Sequence, residues 1–250
     1  MDAQSDAQLG LPGIDLGPDG TGARRRFPVG AGRGFVAIVA AAVGTLLASM
    51  LIAIAFLAAG VDKVGDNHVF LLVATLAQDL IFVGVAYAIT AEGGDVSPAV
   101  FGFRRFGRSA WGTMALAFGA YWLLSLVYGA VFAPPCDKLP DDLGIHDSAI
   151  LAVLAGVFVV GIAPLAEEFF FRGFLFQSLR QSWGVWIAAP VSGLIFGAAH
   201  FDPSKLVPLA ILGTALAYVF HKTRSLWPCI LLHALNNTIA FIVLLSGTSC

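Results

Sequence analysis

Two adjacent acids, Glu167 and Glu168, stand with Arg172 inside one of the most apolar stretches of the sequence. The 250-residue chain is 58% hydrophobic and 12% charged, with a mean hydropathy of +0.85, whereas soluble domains carry about 25% charged residues. This composition predicts an all-α, polytopic membrane protein. Ionisable side chains within a membrane segment are costly to bury, so they mark a candidate functional site whose partners should lie on other segments.

The apolar segments were compared with the length of helix that crosses the hydrocarbon core, about 20 residues. Seven segments qualify, at 35–59, 69–90, 111–132, 150–172, 186–200, 206–220 and 226–245. The fourth is expected to continue as a helix to residue 179, and the fifth and sixth are short. We therefore predict a bundle of about seven transmembrane helices.

The positions of Lys and Arg predict the orientation of this bundle. If the N-terminus is cytoplasmic and seven spans alternate, only Lys63, Lys138 and Lys205 of the 14 basic residues fall on the outer side. The sequence thus predicts an integral protein of the plasma (inner) membrane, with its N-terminus inside, its C-terminus outside and lipid as its surroundings. The basic residues flank apolar segments and form no basic face, so nucleic-acid binding is not expected.

The three cysteines, Cys136, Cys229 and Cys250, are odd in number and match no zinc or redox spacing. Cys229 is expected to be a small apolar residue within a helix. Cys136 and Cys250 both fall on the predicted outer side, and the sequence does not decide whether they form a disulfide bond.

The spacing of the charged residues assigns the two acids different roles. Glu168 and Arg172 are four residues apart, on one face of a helix, so they are expected to form an ion pair. Glu167 lies about 100° around the helix from Glu168. It is therefore expected to face a cavity.

Two later segments offer polar groups that can meet these acids. His200 follows Phe196 by four residues, and His233 precedes Asn237 by four, so each pair shares a helical face. If the three segments bring these groups to one depth, an acid, two imidazoles and a carboxamide come together. His200 reaches that depth only if the chain between its segment and the preceding one projects beyond the bilayer or lies along its surface.

Two further predictions concern small and acidic residues elsewhere in the spans. Gly193 and Gly197 form a pair of small residues four apart, which lets another helix approach closely. Asp79 lies in the middle of the second span. We expect it to be hydrogen-bonded to a neighbouring helix, the alternative being a group that lines the cavity.

The chemistry that this set of residues suits is hydrolysis. Glu167 is placed as a general base that deprotonates a water held by His200. His233 and Asn237 are placed as hydrogen-bond donors to the oxyanion that forms when the water attacks a peptide carbonyl. Alternatively, Glu167, His200 and His233 are ligands of a divalent metal such as zinc, although the H-E-x-x-H pattern is absent.

In these motifs the sequence resembles the CPBP family, also called Abi. The family comprises type II CAAX prenyl endopeptidases, some of them labelled metalloproteases, and related bacteriocin-processing and immunity proteins. Its pattern is E-E-x-x-x-R, then F-x-x-x-H, then H-x-x-x-N, and all three occur here in that order, on separate predicted spans. The resemblance covers roughly residues 150–245.

The resemblance implies an all-helical intramembrane endopeptidase that cleaves a membrane-associated protein or peptide. It implies Glu167 as the base that activates water, with His200 assisting, and His233 and Asn237 as stabilisers of the oxyanion. The supporting residues are Glu168, Arg172 and Phe196. It leaves open the metal, the oligomeric state and whether any prenylated CAAX protein is the substrate.

On this basis we divide the chain into a disordered cytoplasmic tail at 1–34, N-terminal transmembrane helices at 35–149 and a catalytic core at 150–246. Two other functions remain as alternatives. One is a non-catalytic membrane scaffold or bacteriocin-immunity protein that keeps the fold. The other is a proton-coupled transporter, against which stands the lack of an inverted repeat in the sequence.

Overall fold

The computed structural model describes residues 27–132, 145–146 and 148–246, and within these ranges the regular elements are helices. A single 3₁₀ turn, Val64–Asp66, precedes the second helix. The helices are α1 (Ala31–Ala58), α2 (His68–Ala91), α3 (Pro98–Phe101), α4 (Ser109–Phe132), α5 (Ala149–Trp183), α6 (Val185–Ala198), α7 (Pro203–Thr223) and α8 (Leu226–Leu245).

The predicted all-α membrane bundle is confirmed. Six of the described helices are long and apolar enough to cross a membrane, namely α1, α2, α4, α5, α7 and α8. Helix α6 has 14 residues, fewer than the roughly 20 needed to cross the hydrocarbon core. Helix α7 extends at both ends beyond the predicted 206–220. The predicted seven spans thus correspond to six long helices and one short apolar helix.

The ordered N-terminal part begins earlier than the sequence indicated. Helix α1 begins at Ala31, so the predicted tail boundary at residue 34 falls inside this helix. The backbone N–H of Ala31 donates to Ser182 Oγ at 3.2 Å, and the Phe27 ring lies 6.1 Å from that of Phe174. These contacts attach the start of α1 to α5. The rest of the tail and Cys136 and Cys250 lie outside the described residues.

Helix α5 is the centre of the bundle. Its aromatic residues fill the core, where Phe170 stacks on Phe82 of α2 at 4.8 Å and Phe171 meets Phe196 of α6 edge-on at 5.1 Å. Long apolar side chains on the outer helices point away from the protein, as at Leu116 on α4, which is 72% exposed. Such a surface suits lipid as the surrounding solvent and leaves the polar groups to the interior.

Helices α6 and α7 pack closely at the glycines that the sequence singled out. A Cβ atom on Gly193 would lie 2.5 Å from the carbonyl oxygen of Ala210, and one on Gly197 would lie 2.5 Å from that of Leu206. Gly213 of α7 meets Gly193 in the same way, with its Cβ position 2.7 Å from Gly193 Cα. The predicted close approach at Gly193 and Gly197 is confirmed, because no side chain would fit between these backbones.

Helix α5 departs from α-helical hydrogen bonding in two π-helical stretches, Phe158–Ile162 and Phe169–Phe176. The α-helical stretch between them, Ala163–Glu168, carries the two acids. Inserted π turns recur at functional sites because they shift the direction of the side chains that follow. The sequence pattern predicted a uniform helix here, and neither π-helical stretch was expected from it.

Candidate active site

The predicted ion pair between Glu168 and Arg172 is present at the centre of the bundle. Arg172 Nη1 donates to Glu168 Oε1 at 2.8 Å, and both side chains are fully buried. Arg172 Nη2 also donates to the carbonyl oxygen of Gly213 at 3.1 Å, and the guanidinium lies 4.5 Å from the centre of the Phe196 ring. Arg172 therefore links α5 to α6 and α7, and it neutralises Glu168 within one helix.

His233 of α8 joins this pair. Its Nδ1 lies 2.8 Å from Glu168 Oε1, and the ring is 3% exposed. Because a carboxylate paired with arginine only accepts hydrogen bonds, Nδ1 carries the hydrogen and donates it to Glu168. The arrangement fixes the orientation of the imidazole and directs Nε2 to the opposite side.

Glu167 lies on that opposite side. Its Oε2 is 3.8 Å from His233 Nε2, and its side chain is 14% exposed, whereas that of Glu168 is fully buried. The predicted pairing of Glu168 is confirmed, because Arg172 and His233 hold this residue. Glu167 is partly exposed, but it is not among the residues that line the cavity between α2 and α5, so its position facing a cavity stays a prediction. The 3.8 Å separation is longer than a hydrogen bond.

Asn237 is positioned by the first π-helical stretch of α5. There, the N–H of Ala163 donates to Phe158 O, five residues back. The next donor in this register would be Pro164, which has no N–H, so the carbonyl of Val159 lacks a backbone partner. Asn237 Nδ2 supplies it, donating to Val159 O at 2.9 Å. One N–H of the carboxamide is thus used within the fold.

The Phe196 ring contacts the imidazole rings of both candidate histidines. Its ring is fully buried and lies 5.6 Å from the ring of His233 and 5.0 Å from that of His200. His200 Nδ1 lies 2.9 Å from Phe196 O, and since a carbonyl only accepts, Nδ1 is the donor. His200 follows the end of α6 and is exposed on the described chain. The structure thus connects it to the other site residues through Phe196.

Comparisons with known proteins point to the same part of the chain. Residues 149–239 match the family model for Rce1-like proteins, described as type II CAAX prenyl endopeptidase Rce1-like. The matched range contains the Glu-Glu motif on α5, the histidine after α6 and the His–Asn pair on α8. Over this range the chain is similar to the CPBP (Abi) family.

Three curated proteins are similar to parts of this chain. "Putative membrane peptidase YdiL" of Bacillus subtilis (strain 168) is 30% identical over 82 residues, which are 33% of this chain and 34% of that protein. An uncharacterized 24.3 kDa protein of Escherichia coli is 28% identical over 185 residues, or 71% of this chain and 82% of that protein. The UPF0177 protein YaiF of Lactococcus lactis subsp. lactis (strain IL1403) is 30% identical over 82 residues, 32% of this chain and 36% of that protein.

The chain spans about a third of the length of YdiL and of YaiF, and each match is confined to about a third of this chain. The Escherichia coli protein is matched over most of its length, but its name assigns no activity. No solved structure matches the chain significantly. The comparisons therefore show similarity to membrane peptidases over part of the chain.

The metal set that the sequence left open does not fit this geometry. Among the described residues, no three His, Cys, Asp or Glu side chains lie close enough together to hold a metal ion. Glu167 and His233 face each other, but His200 does not lie close enough to them to complete the set.

A cavity of about 320 Å³ lies next to the CPBP motif, between α2 and α5. Apart from Asp79, its walls are apolar and are formed by Leu76, Leu80, Val83, Phe103, Ile162, Leu165, Ala166 and Phe169. At its rim, Leu80 is 65% exposed and Leu165 is 43% exposed on the outside of the bundle. The cavity thus opens sideways, toward the lipid.

The prediction that Asp79 is hydrogen-bonded to a neighbouring helix is wrong. Asp79 is 2% exposed, and within the part of the chain that the structure describes neither carboxyl oxygen has a hydrogen-bond partner. Instead the residue lines the cavity, the alternative that the sequence also allowed. The facing segments of α5 carry apolar side chains, Leu165, Ala166 and Phe169, which supply no donor.

Proposed function

We propose that this chain is an intramembrane endopeptidase that hydrolyses a peptide bond of a membrane-associated protein or peptide. The observation that carries the proposal is the contrast between the two neighbouring acids. Glu168 is buried and held by Arg172 and His233, whereas Glu167 is partly accessible and faces a fixed imidazole across a gap of 3.8 Å. A carboxylate free to accept a proton, beside preoriented hydrogen-bonding groups, suits the activation of water.

In the proposed reaction, Glu167 takes a proton from a water molecule as the water oxygen bonds to the peptide carbonyl carbon. The carbonyl oxygen becomes an oxyanion, which the second N–H of Asn237 stabilises. His233 contributes from Nε2 when its ring carries both protons, because Nδ1–H is already donated to Glu168. His200 holds the water or the substrate backbone at the mouth of the site.

The roles of Glu168, Arg172 and Phe196 are indirect. Glu168 orients His233, Arg172 neutralises Glu168 and fastens α7, and Phe196 packs against Arg172 and both imidazoles. Such supporting contacts hold reacting groups within the small tolerances that catalysis requires. The sideways opening of the cavity supports a substrate that is itself in or on the membrane.

The test is peptidase activity of the purified full-length protein in lipid vesicles, with a library of membrane-anchored reporter peptides. We expect wild-type cleavage to be lost in Glu167→Gln and in His233→Ala. Asn237→Ala should retain substrate binding and lower kcat by about 10²–10³-fold, the usual loss for an oxyanion donor. A chelator is included, and unchanged activity in its presence is the result expected for a reaction driven by side chains.

The matched control is Glu92→Gln. Glu92 follows α2, is exposed and pairs with Arg33 at 3.2 Å, so its substitution removes one acid without touching the site. If Glu167→Gln cleaves as well as Glu92→Gln does, the glutamate-driven mechanism is wrong. If the wild type cleaves nothing and binds a protein partner instead, the scaffold or immunity alternative gains support. Cleavage that persists after the proton gradient is dissipated argues against the transporter.

A further inference from the structure

Among the described residues, Asp79 is the one buried acid near the site that the proposed mechanism does not use. Its level along the bundle follows from the contact between α2 and α5. Phe82 stacks on Phe170, and Asp79 and Glu167 each lie three residues before one of these rings. Leu76 and Ile162, further toward the N-terminus of each helix, share the same cavity, so the two helices run in parallel. Asp79 and Glu167 therefore lie at the same depth.

The two acids are also close enough to influence each other electrostatically. Asp79 shares the cavity wall with Leu165 and Ala166, the residues that immediately precede Glu167 in α5. Asp79 thus lies on the wall of the cavity that adjoins Glu167 in α5.

Their surroundings differ in a way that separates their chemistry. Glu167 is partly exposed and faces an imidazole, which suits a charged base. Asp79 is enclosed by apolar side chains, and its oxygens have no donor among the described residues. An unpaired charge is very costly to bury, so a carboxyl in this position holds its proton. Two neighbouring acids in such contrasting environments suit the separate roles of general base and general acid.

We propose that Asp79 is the general acid of the reaction and protonates the amine leaving group. This inference rests on the proposed function. As the C–N bond of the tetrahedral intermediate breaks, its electron pair stays on nitrogen, which takes the proton from the Asp79 carboxyl. The proton that Glu167 took from water then passes to the Asp79 carboxylate, and both acids return to their starting states. The net change is one peptide bond and one water converted to a carboxylic acid and an amine.

The experiment compares two substrates that share one acyl segment, taken from the reporter peptide that the wild type cleaves best. One carries the natural peptide bond, and the other carries a 4-nitrophenyl ester, whose phenolate leaves without a proton. We expect Asp79→Asn to lower kcat on the peptide by about 10²–10⁴-fold, the usual contribution of a general acid. The rate on the ester should be unchanged, and Glu167→Gln should lose both.

Leu80→Asn is the matched control, because it adds a carboxamide to the same cavity and leaves Asp79 in place. It should keep the wild-type ratio of peptide to ester cleavage. If Asp79→Asn loses both activities equally, or keeps peptide cleavage, the inference is overturned and the proposed function stands. If the wild type cleaves neither substrate, the proposed function fails and the inference fails with it.

A second measurement does not depend on a variant of Asp79. Proton transfer to the leaving nitrogen should give the wild type a larger solvent deuterium isotope effect on peptide cleavage than on ester cleavage, measured as kcat under saturating substrate. Equal isotope effects on the two substrates would overturn the role of Asp79 even if Asp79→Asn did not fold.

Discussion

Ionisable side chains are buried in two different ways on the two sides of α5, one facing α7 and α8 and the other facing α2. On the first, Glu168, Arg172 and His233 are joined by hydrogen bonds of 2.8 Å, and Arg172 reaches a backbone carbonyl as well. On the second, Asp79 is enclosed by apolar side chains without a partner among the described residues. The first side is a fixed framework, and the second is a cavity wall whose acid remains available for another molecule.

Breaking the framework should have the largest effect on stability. Arg172→Leu leaves Glu168 buried without its cation, and loss of one partner of a buried pair costs about 3–5 kcal/mol. We expect most of the variant to be lost as aggregate on detergent extraction, measured by size-exclusion chromatography and thermal unfolding. Arg33→Leu is the control, since its pair with Glu92 is exposed and should be worth about 0–1 kcal/mol. Equal yields of both variants would contradict the assigned framework.

Separating α6 from α7 should have an intermediate effect. A Cβ on Gly193 would lie 2.5 Å from the carbonyl oxygen of Ala210, so Gly193→Ala forces the helices apart and should cost about 1–3 kcal/mol. Gly119→Ala on α4 is the control, because its Cβ would meet nothing within 4 Å. We expect a lower midpoint of thermal unfolding for the first variant only. The same midpoint in both would mean that this contact is not close in the membrane.

Substituting Asp79, the acid on the α2 side, should have the smallest effect on stability, and this effect should be neutral or stabilising. Asp79→Asn takes away a buried acid that has no partner to lose, so the midpoint of thermal unfolding should stay the same or rise. Asp79→Leu should raise it further, because it completes the apolar wall. A marked loss of stability in both variants would show that Asp79 is held by an interaction of the native protein, and the contrast between the two sides would disappear.

The parts of this structure that local spacing determines could be predicted from the sequence. Glu168 and Arg172 pair because residues four apart meet on a helix, and Gly193 and Gly197 admit α7 because they lack side chains on one face. The length and apolarity of the segments were sufficient for the bundle itself. Helix α6 is the exception, because it is too short to cross the membrane. Its predicted segment, 186–200, was already marginal in length.

The remaining features depend on which helices become neighbours. The freed carbonyl of Val159 is a consequence of Pro164, and that signal is present in the sequence, but its capture by Asn237 requires α8 to lie beside α5. Asp79 lacks a partner because α5 presents apolar side chains to it, which no feature of α2 reveals. The position of His200 depends on where α6 ends against α7. Spacing within one segment contains none of this information.

The pair of Glu168 and Arg172 has a consequence for how the protein is made. Both residues belong to α5, so their charges cancel within a single helix before α7 and α8 have been synthesised. An isolated acid in this position would make membrane insertion costly until His233, 65 residues later in the chain, had been synthesised. With the pair formed early, α5 can enter the bilayer during translation with the charge of Glu168 already balanced, and the later helices then assemble on a site that is partly formed.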